Sequence, residues 1–342
     1  MKKMFGLLMV VTLLLSGCGT PPSEPQQKQY TATFLTLFDT VTSIVGKAES
    51  EELFFEKAKA IHDELEEYHQ LFDIYNEYEG IANLKTINDQ AGIAPVEVDQ
   101  RIIRLLQDCK EIYGFTDGRV NMAMGSVLSL WHEAREYGRN NPAEATLPDM
   151  DALQEAGLHI DPETVVIDEE NSTVYISDPL VRLDVGAIAK GWSVQQVAEQ
   201  APEGMLISVG GNVCATGPKD QKGNAWVVGI QNPDGGEAYL HTLYVKEGSV
   251  VTSGDYQRTY AVDGKLYHHI IDPETLYPST YWRSVTIVCQ NSGIADALST
   301  ALFVMSREEG QKLLEQYEAE AMWVDQDGKI LYSPGFQKFI RT

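Results

Sequence analysis

Cysteine is scarce, with four residues in 342. Three of them, Cys109, Cys214 and Cys289, are widely separated, odd in number and without His or Cys neighbours at ligand spacing. That argues against both a disulfide framework and a zinc site, and predicts three buried, small apolar residues. Positive charge is short as well: Lys and Arg total 26 against 50 Asp and Glu, a formal net charge of −24. So acidic a chain is a poor candidate for nucleic acid or an anionic membrane surface, and a phosphate would have to be held locally, by backbone N–H groups and metal ions. There is no internal repeat and no second composition block. Neither a Ser-His-Asp order nor a nucleophile elbow occurs, so a hydrolase triad has no support.

What is present begins with a leader. Lys2 and Lys3 precede an apolar stretch, Met4 to Leu15, too short to span a bilayer comfortably. It runs into Leu15-Ser16-Gly17-Cys18, which resembles a bacterial lipoprotein signal whose Cys becomes the lipidated N-terminus. Residues 1–17 are therefore expected to be a signal peptide, 18–30 a flexible tether rich in Pro, Gln and Ser, and 31–342 the folded part. Loss of Lys2 and Lys3 would take the charge from −24 to −26.

An apolar content of 43% supports a sizeable core. Thr31 to Val45 predicts one or two strands around Phe38-Asp39-Thr40, and Ser50 to His69 a capped helix with Leu53, Ala60, Ile61 and Leu65 as its apolar stripe. Helices follow Asp99 and span Ser126 to Tyr137, then a long connection runs over Gly138 to Pro148. A hairpin crosses Glu169–Ser172, Leu183-Asp184 ends a short strand, and Lys190 to Glu199 is helical. Strands are predicted at 205–209, 226–230, 239–246, 249–252 and 284–289. Helices at 295–305 and 307–317 and a closing hairpin around Gln326–Lys329 complete the chain. Strands come in groups with helices between the groups, so the fold class is α+β with a mainly antiparallel sheet.

Four segments could carry chemistry. In Leu183-Asp184-Val185-Gly186-Ala187-Ile188-Ala189-Lys190-Gly191-Trp192, a turn of Gly and Ala lets backbone approach a ligand. The helix that follows adds N–H groups for a phosphate, and Lys190 a full charge. Ser208-Val209-Gly210-Gly211-Asn212 is a Gly-Gly turn closed by Asn. The run Val251 to Arg258, with Tyr267 to Pro273, brings Thr252, Ser253, an Arg and a His pair together through a hairpin. There His269 has the chemistry of a general acid or base. In Ile294 to Ala301, Asp296 and Thr300 are four apart on one helix face, two oxygen donors suited to Mg²⁺. Taken singly, each segment is also an ordinary turn, strand histidine or helix terminus.

In this order and spacing, LDVGAIAKG, VGGN, TSGDYQR…HHIIDPETLYP and ADALSTALFVM resemble the ApbE family of FAD:protein FMN transferases, over about Thr31 to Val324. The resemblance implies a single catalytic domain with a T-fold-like core. It also implies an enzyme that cuts the FAD pyrophosphate, links FMN through a phosphoester to a Thr of a partner protein, and releases AMP. Mg²⁺ is then bound by the Ala187 carbonyl, Asp296 and Thr300, while Asp184 and Lys190 contact FAD, Lys190 near its phosphates. Phe38 (where many members carry Met), Tyr75, Ala123-Met124-Gly125 and Ile270 fall where the family lines the flavin or adenine site, and His269 matches the His before its Asp-Pro turn. Leu276 stands where that turn usually has Gly, which puts the loop geometry there in question, and Ser299 where some members have a second Asp. The acceptors implied are flavoproteins of a membrane redox system, reached from the extracytoplasmic face of a bacterial membrane by a protein lipid-anchored at Cys18. Two rival readings remain: a Mg²⁺-dependent FAD pyrophosphatase, which would use the same residues, and a flavin-binding lipoprotein without catalysis, which has no need of the Asp296–Thr300 pair.

Overall fold

The computed structural model describes residues 27–236 and 238–342. The expected signal peptide at 1–17, Cys18 and most of the tether lie outside the described residues. Strands β1 (Lys28–Phe34) and β2 (Thr42–Ala48) come first. A mostly helical stretch follows, with α1 (Glu51–Phe72), α2 (Leu84–Asp89), α3 (Gln100–Phe115), α4 (Gly125–Asn140) and α5 (Met150–Ala156). It carries a small sheet of β3 (Val96–Glu97), β4 (Val165–Asp168) and β5 (Thr173–Ile176). Helix α6 (Ala189–Gln200) leads into β6 (Met205–Val209), β7 (Asn212–Ala215) and the hairpin β8 (Trp226–Gln231)–β9 (Tyr239–Val245). Then come β10 (Gly248–Gly254), the hairpin β11 (Tyr260–Val262)–β12 (Lys265–Tyr267), β13 (Ser284–Cys289), α7 (Ser292–Phe303), α8 (Arg307–Leu314), β14 (Glu320–Val324) and β15 (Ile330–Tyr332).

The main sheet has the order β1-β2-β6-β7-β10-β13-β14-β15, with every neighbouring pair antiparallel. Period-2 alternation divides its side chains between two cores. Ile207, Val251, Ile287 and Trp323 face the layer that contains α1, α6 and α7. Val250, Val288, Met322 and Val324 face the β8–β9 hairpin and Phe336. Strand β13 is buried along its whole length because it is covered on both faces. Each Val or Ile sequestered there is worth roughly 1.5–3 kcal/mol against exposure. A third core joins α4, α5 and the β11–β12 hairpin through Val127, Trp131, Leu153 and Tyr260.

The mixed, antiparallel architecture agrees with the α+β expectation, and Cys109, Cys214 and Cys289 are free and buried. Several details differ. Strand β1 starts at Lys28, inside the expected tether, because Lys28 to Tyr30 find partners in Gly46 to Ala48. The buried stripe of α1 is Phe54, Ala58, Ile61 and Leu65, with Leu53 and Ala60 rotated to solvent. No strand ends at Leu183-Asp184. The Asn88 side chain instead brackets Leu183, accepting from its N–H (2.7 Å) and donating to its carbonyl (3.0 Å). Helix α7 begins at Ser292 under an Asn291 cap, earlier than its glycine-bearing first turn suggests. Helices α2 and α5 and strand β7 are too short to announce themselves by periodicity. Among the described residues, no helix is long and apolar enough to cross a membrane.

Candidate active site

The site begins where α6 crosses α7. Gly191 makes the approach possible: a Cβ there would lie 2.4 Å from the Asp296 Cβ and 2.4 Å from the Ser292 carbonyl oxygen. At this crossing the Gly191 N–H donates to Asp296 Oδ2 (2.8 Å), so a carboxylate from α7 caps the start of α6. One N–H of this helix start is thus already engaged. Ala187 precedes the Ile188 cap of α6, so its carbonyl stands outside the helical ladder and accepts no backbone bond among the described residues. Ala187, Asp296 and Thr300 then line one cavity of about 450 Å³.

Lys190 lies beside them. Its Nζ donates to the Gly186 carbonyl (3.1 Å) and stands 3.9 Å from Asp296 Oδ2. Desolvation raises the Asp296 carboxyl above its ordinary range, with Lys190 and the Gly191 N–H opposing. Desolvation likewise raises Asp184, opposed by the Gly186 N–H, Arg258, His132 and Lys190. On α7, the Ser299 hydroxyl bonds to Ser253 Oγ (2.8 Å) and the Asp296 carbonyl (2.9 Å), tying the helix to β10. In the β6–β7 turn, Gly210 (φ +55) packs against Thr40, whose side chain a Cβ would strike at 2.7 Å. Asn212 follows it, lines the cavity and is buried; its Nδ2 makes no well-formed hydrogen bond, though the side chain still lowers the Asp296 carboxyl.

A second wall is the loop after β10. Asp255 N–H donates to the Arg283 carbonyl (2.9 Å), and His269 Nδ1 bonds to the Gln257 carbonyl (3.2 Å). A carbonyl only accepts, so Nδ1 carries the proton and Nε2 keeps its lone pair. Desolvation, followed by the charges of Arg258, His268, Lys190 and Arg135, pushes the ring's pKa down to about 3. His269 is therefore a neutral imidazole, a hydrogen-bonding group and only a weak base. Beyond it Leu276 adopts φ +58, the left-handed conformation that favours Gly. Two bonds close the turn at that residue: the Leu276 N–H donates to the Asp272 carbonyl (2.8 Å), and its own carbonyl accepts from Trp131 Nε1 (2.9 Å).

The third wall is aromatic and cationic. Asp73 accepts from the Tyr75 N–H (2.6 Å), the Asn76 N–H (3.0 Å) and the Tyr78 hydroxyl (2.8 Å). Burial would raise this carboxyl, but these bonds outweigh it and hold it below its usual range. The turn so fixed presents Tyr75, whose ring stacks on His132 at 4.9 Å. Burial, then the charge of Asp184, pushes the Tyr75 phenol up to about 12. His132 Nδ1 accepts from Arg135 Nη2 (2.8 Å). Of the charged side chains lining the cavity, Arg119, Arg135, Lys190 and Arg258 outnumber Asp39, Asp184 and Asp296. In a chain of net charge −24, that local excess marks a place for an anion.

Tyr75, Met124, Asp184, Ala187, Lys190, His269, Ile270, Asp296 and Thr300 all line this cavity. Phe38, Ala123 and Gly125 do not. Phe38 (φ +52) turns its ring to His69, leaving Asp39 and Thr40 at the cavity. Ala123 is fully buried in the core. Gly125 donates to the Arg182 carbonyl (2.9 Å), against which a Cβ would collide at 2.6 Å. Sequence reasoning missed Arg119, Asn121, Trp131, His132 and Arg135. The last three share a face of α4 at i, i+1 and i+4, a signal that helical periodicity could have supplied.

Residues 37–323 match the model of the ApbE family. A protein of Treponema pallidum (strain Nichols) named FAD:protein FMN transferase is 36% identical over 278 residues, 76% of this chain and 75% of that protein. One of the same name from Klebsiella pneumoniae (strain 342) is 32% identical, covering 77% and 84%. Among solved structures, an ApbE protein of Thermotoga maritima superposes with a TM-score of 0.80 at 30% identity, over 92% of this chain and all of that one. The flavin transferase ApbE of Vibrio cholerae superposes at 0.74 with 24% identity and the same coverage, a likeness of fold.

Proposed function

Because the chain belongs to the ApbE family, we infer that it is an FAD:protein FMN transferase. The reaction is a phosphoryl-type exchange. The bond between the FMN phosphorus and the bridging pyrophosphate oxygen breaks, a bond from an acceptor Thr hydroxyl to that phosphorus forms, and AMP leaves with the bridging oxygen. The hydroxyl proton passes to solvent or to a cavity base.

The observation that carries this reading is the donor set at the α6–α7 crossing: the Ala187 carbonyl just ahead of the α6 cap, free of backbone bonds among the described residues, the buried Asp296 carboxyl and the Thr300 hydroxyl. Three hard oxygen donors at a polar wall fit Mg²⁺, which keeps waters and completes its shell with substrate phosphates. When bound, Mg²⁺ supplies Lewis-acid neutralisation of the pyrophosphate charge. The protein's own groups do the rest. Lys190 adds positive field close to the same carboxylate, favouring the charge that builds on the transferred and departing phosphates. The Asn212 Nδ2, close enough to Asp296 to lower its carboxyl but without a well-formed hydrogen bond, is a donor matched to a phosphate or ribose oxygen. Tyr75 offers an aromatic face to a ring. Neutral His269 presents Nε2 as an acceptor for the attacking hydroxyl, orienting it more than deprotonating it.

The reading extends to placement. The leader and Cys18 support a lipid-anchored enzyme on the extracytoplasmic face of a bacterial membrane, acting on flavoproteins of a membrane redox system. The deciding experiment incubates the protein with FAD, Mg²⁺ and a candidate acceptor. Fluorescent acceptor on a denaturing gel together with released AMP supports transfer. FMN and AMP without labelled acceptor would make it a pyrophosphatase, and bound FAD without AMP a carrier.

A further inference from the structure

The four cations of the cavity are unequally committed. Lys190 is engaged by Gly186 and Asp296. Arg119 faces Asp272, Glu274 and Glu309. Arg135 is held by Glu136 and His132. Arg258, by contrast, makes no hydrogen bond or ion pair among the described residues, although it lines the cavity in a strongly acidic chain. Its backbone is unusual as well. With φ +46 it occupies the left-handed region, which is costly for a residue with a Cβ. The conformation is imposed from both sides, by the Asp255 bond to Arg283 and by the His269 bond to Gln257.

The charge points inward. Arg258 acts electrostatically on Asp184, Tyr75, His132, Arg135 and His269, groups that surround the cavity from separate segments. It opposes protonation of His132 and His269 and adds to the repulsion at Arg135. A strained backbone presenting an unpaired cation toward Arg135, with only the carboxyl of Asp184 among these groups to offset it, is a poor arrangement for an empty protein and a good one for an anion-loaded site.

We propose that Arg258 is a substrate-contacting residue whose guanidinium binds the pyrophosphate of the dinucleotide alongside Lys190. The planar fork offers two parallel N–H donors to phosphate oxygens, a geometry an ammonium does not reproduce. The proposal rests on the transferase reading, and its test separates the two. FAD and riboflavin, which has no phosphate, are titrated against the wild type, Arg258→Ala, Arg258→Lys and Arg258→Gly, and the melting temperature of each protein is recorded.

Arg258→Ala is expected to raise the Kd for FAD at least tenfold and to leave that for riboflavin within twofold, with Arg258→Lys recovering only part of the loss. Arg258→Gly is expected to bind FAD as poorly as Ala while melting at a higher temperature, because glycine relieves the left-handed backbone. Unchanged FAD affinity in Arg258→Ala overturns the proposal, as does an equal loss for FAD and riboflavin or a lowered melting temperature in Arg258→Gly. Failure of the wild type to bind FAD would overturn the transferase reading itself.

Discussion

His269 donates its Nδ1 proton to the Gln257 carbonyl at 3.2 Å, and burial, reinforced by the charge of Arg258 and its neighbours, keeps the ring uncharged. In the unfolded chain a His titrates near 6.5; in the native protein this one is pushed down to about 3. Between those values the unfolded state binds a proton that the native state refuses, so stability is complete above about pH 6.5 and is lost as pH falls toward 3. The raised carboxyls of Asp184 and Asp296 act in the opposite direction. His269→Asn keeps an N–H for Gln257 but removes the titration. Urea melts between pH 4 and 7 should therefore show a shallower acid decline in the variant. An identical decline would mean that the ring is charged in the native state.

Asp296→Ala should abolish Mg²⁺-dependent FMN transfer while the fold persists. The same change strips the Gly191 N–H of its acceptor, a lost cap worth about 0.5–2 kcal/mol, so melting should drop by a few degrees without loss of cooperativity. Full activity in this variant would rule out the proposed metal donor.

Lys190→Ala should weaken FAD binding or turnover by roughly 2–3 kcal/mol, the range for a lost charge–phosphate contact. Because Nζ also rests against Gly186 and Asp296, circular dichroism should accompany the titration. An unchanged affinity and rate would remove Lys190 from the phosphate site.

Gly191→Ala should be damaging out of proportion to one methyl group. The added carbon would lie 2.4 Å from both Asp296 Cβ and the Ser292 carbonyl, forcing α6 and α7 apart. Overpacking of this kind costs about 1–3 kcal/mol. Stability and transfer should fall together, and preserved activity would show that the crossing tolerates separation.

Cys18→Ser should move the protein to the soluble fraction with its transfer activity intact, measured by fractionation and an acceptor-labelling assay. Continued membrane association would require another anchor.

Much of this was legible in the chain because local rules governed it. Asp296 and Thr300 fall on one face of α7 by spacing alone, and the Gly210-Gly211 turn follows from two residues that accept positive φ. The Ser50 and Asp99 caps were equally local. What the sequence could not display was set by tertiary contact. The Leu183 segment alternates like a strand end, but Asn88, 95 residues away, takes the bonds a sheet neighbour would have made. Phe38 has a left-handed backbone and sets its ring against His69, leaving its neighbours Asp39 and Thr40 at the cavity. The arginines of the cavity come from separate segments and converge only in the folded chain.

The Gly191–Asp296 bond joins residues 105 apart in sequence, and it holds the Asp296 carboxyl at the same cavity wall as the Ala187 carbonyl. The proposed cation seat would therefore be a product of helix docking, absent from either helix alone. In an unfolded chain these oxygen donors would stand apart, and the proposed site would form in one step with the native packing. Ligand chemistry thus doubles as a readout of completed assembly.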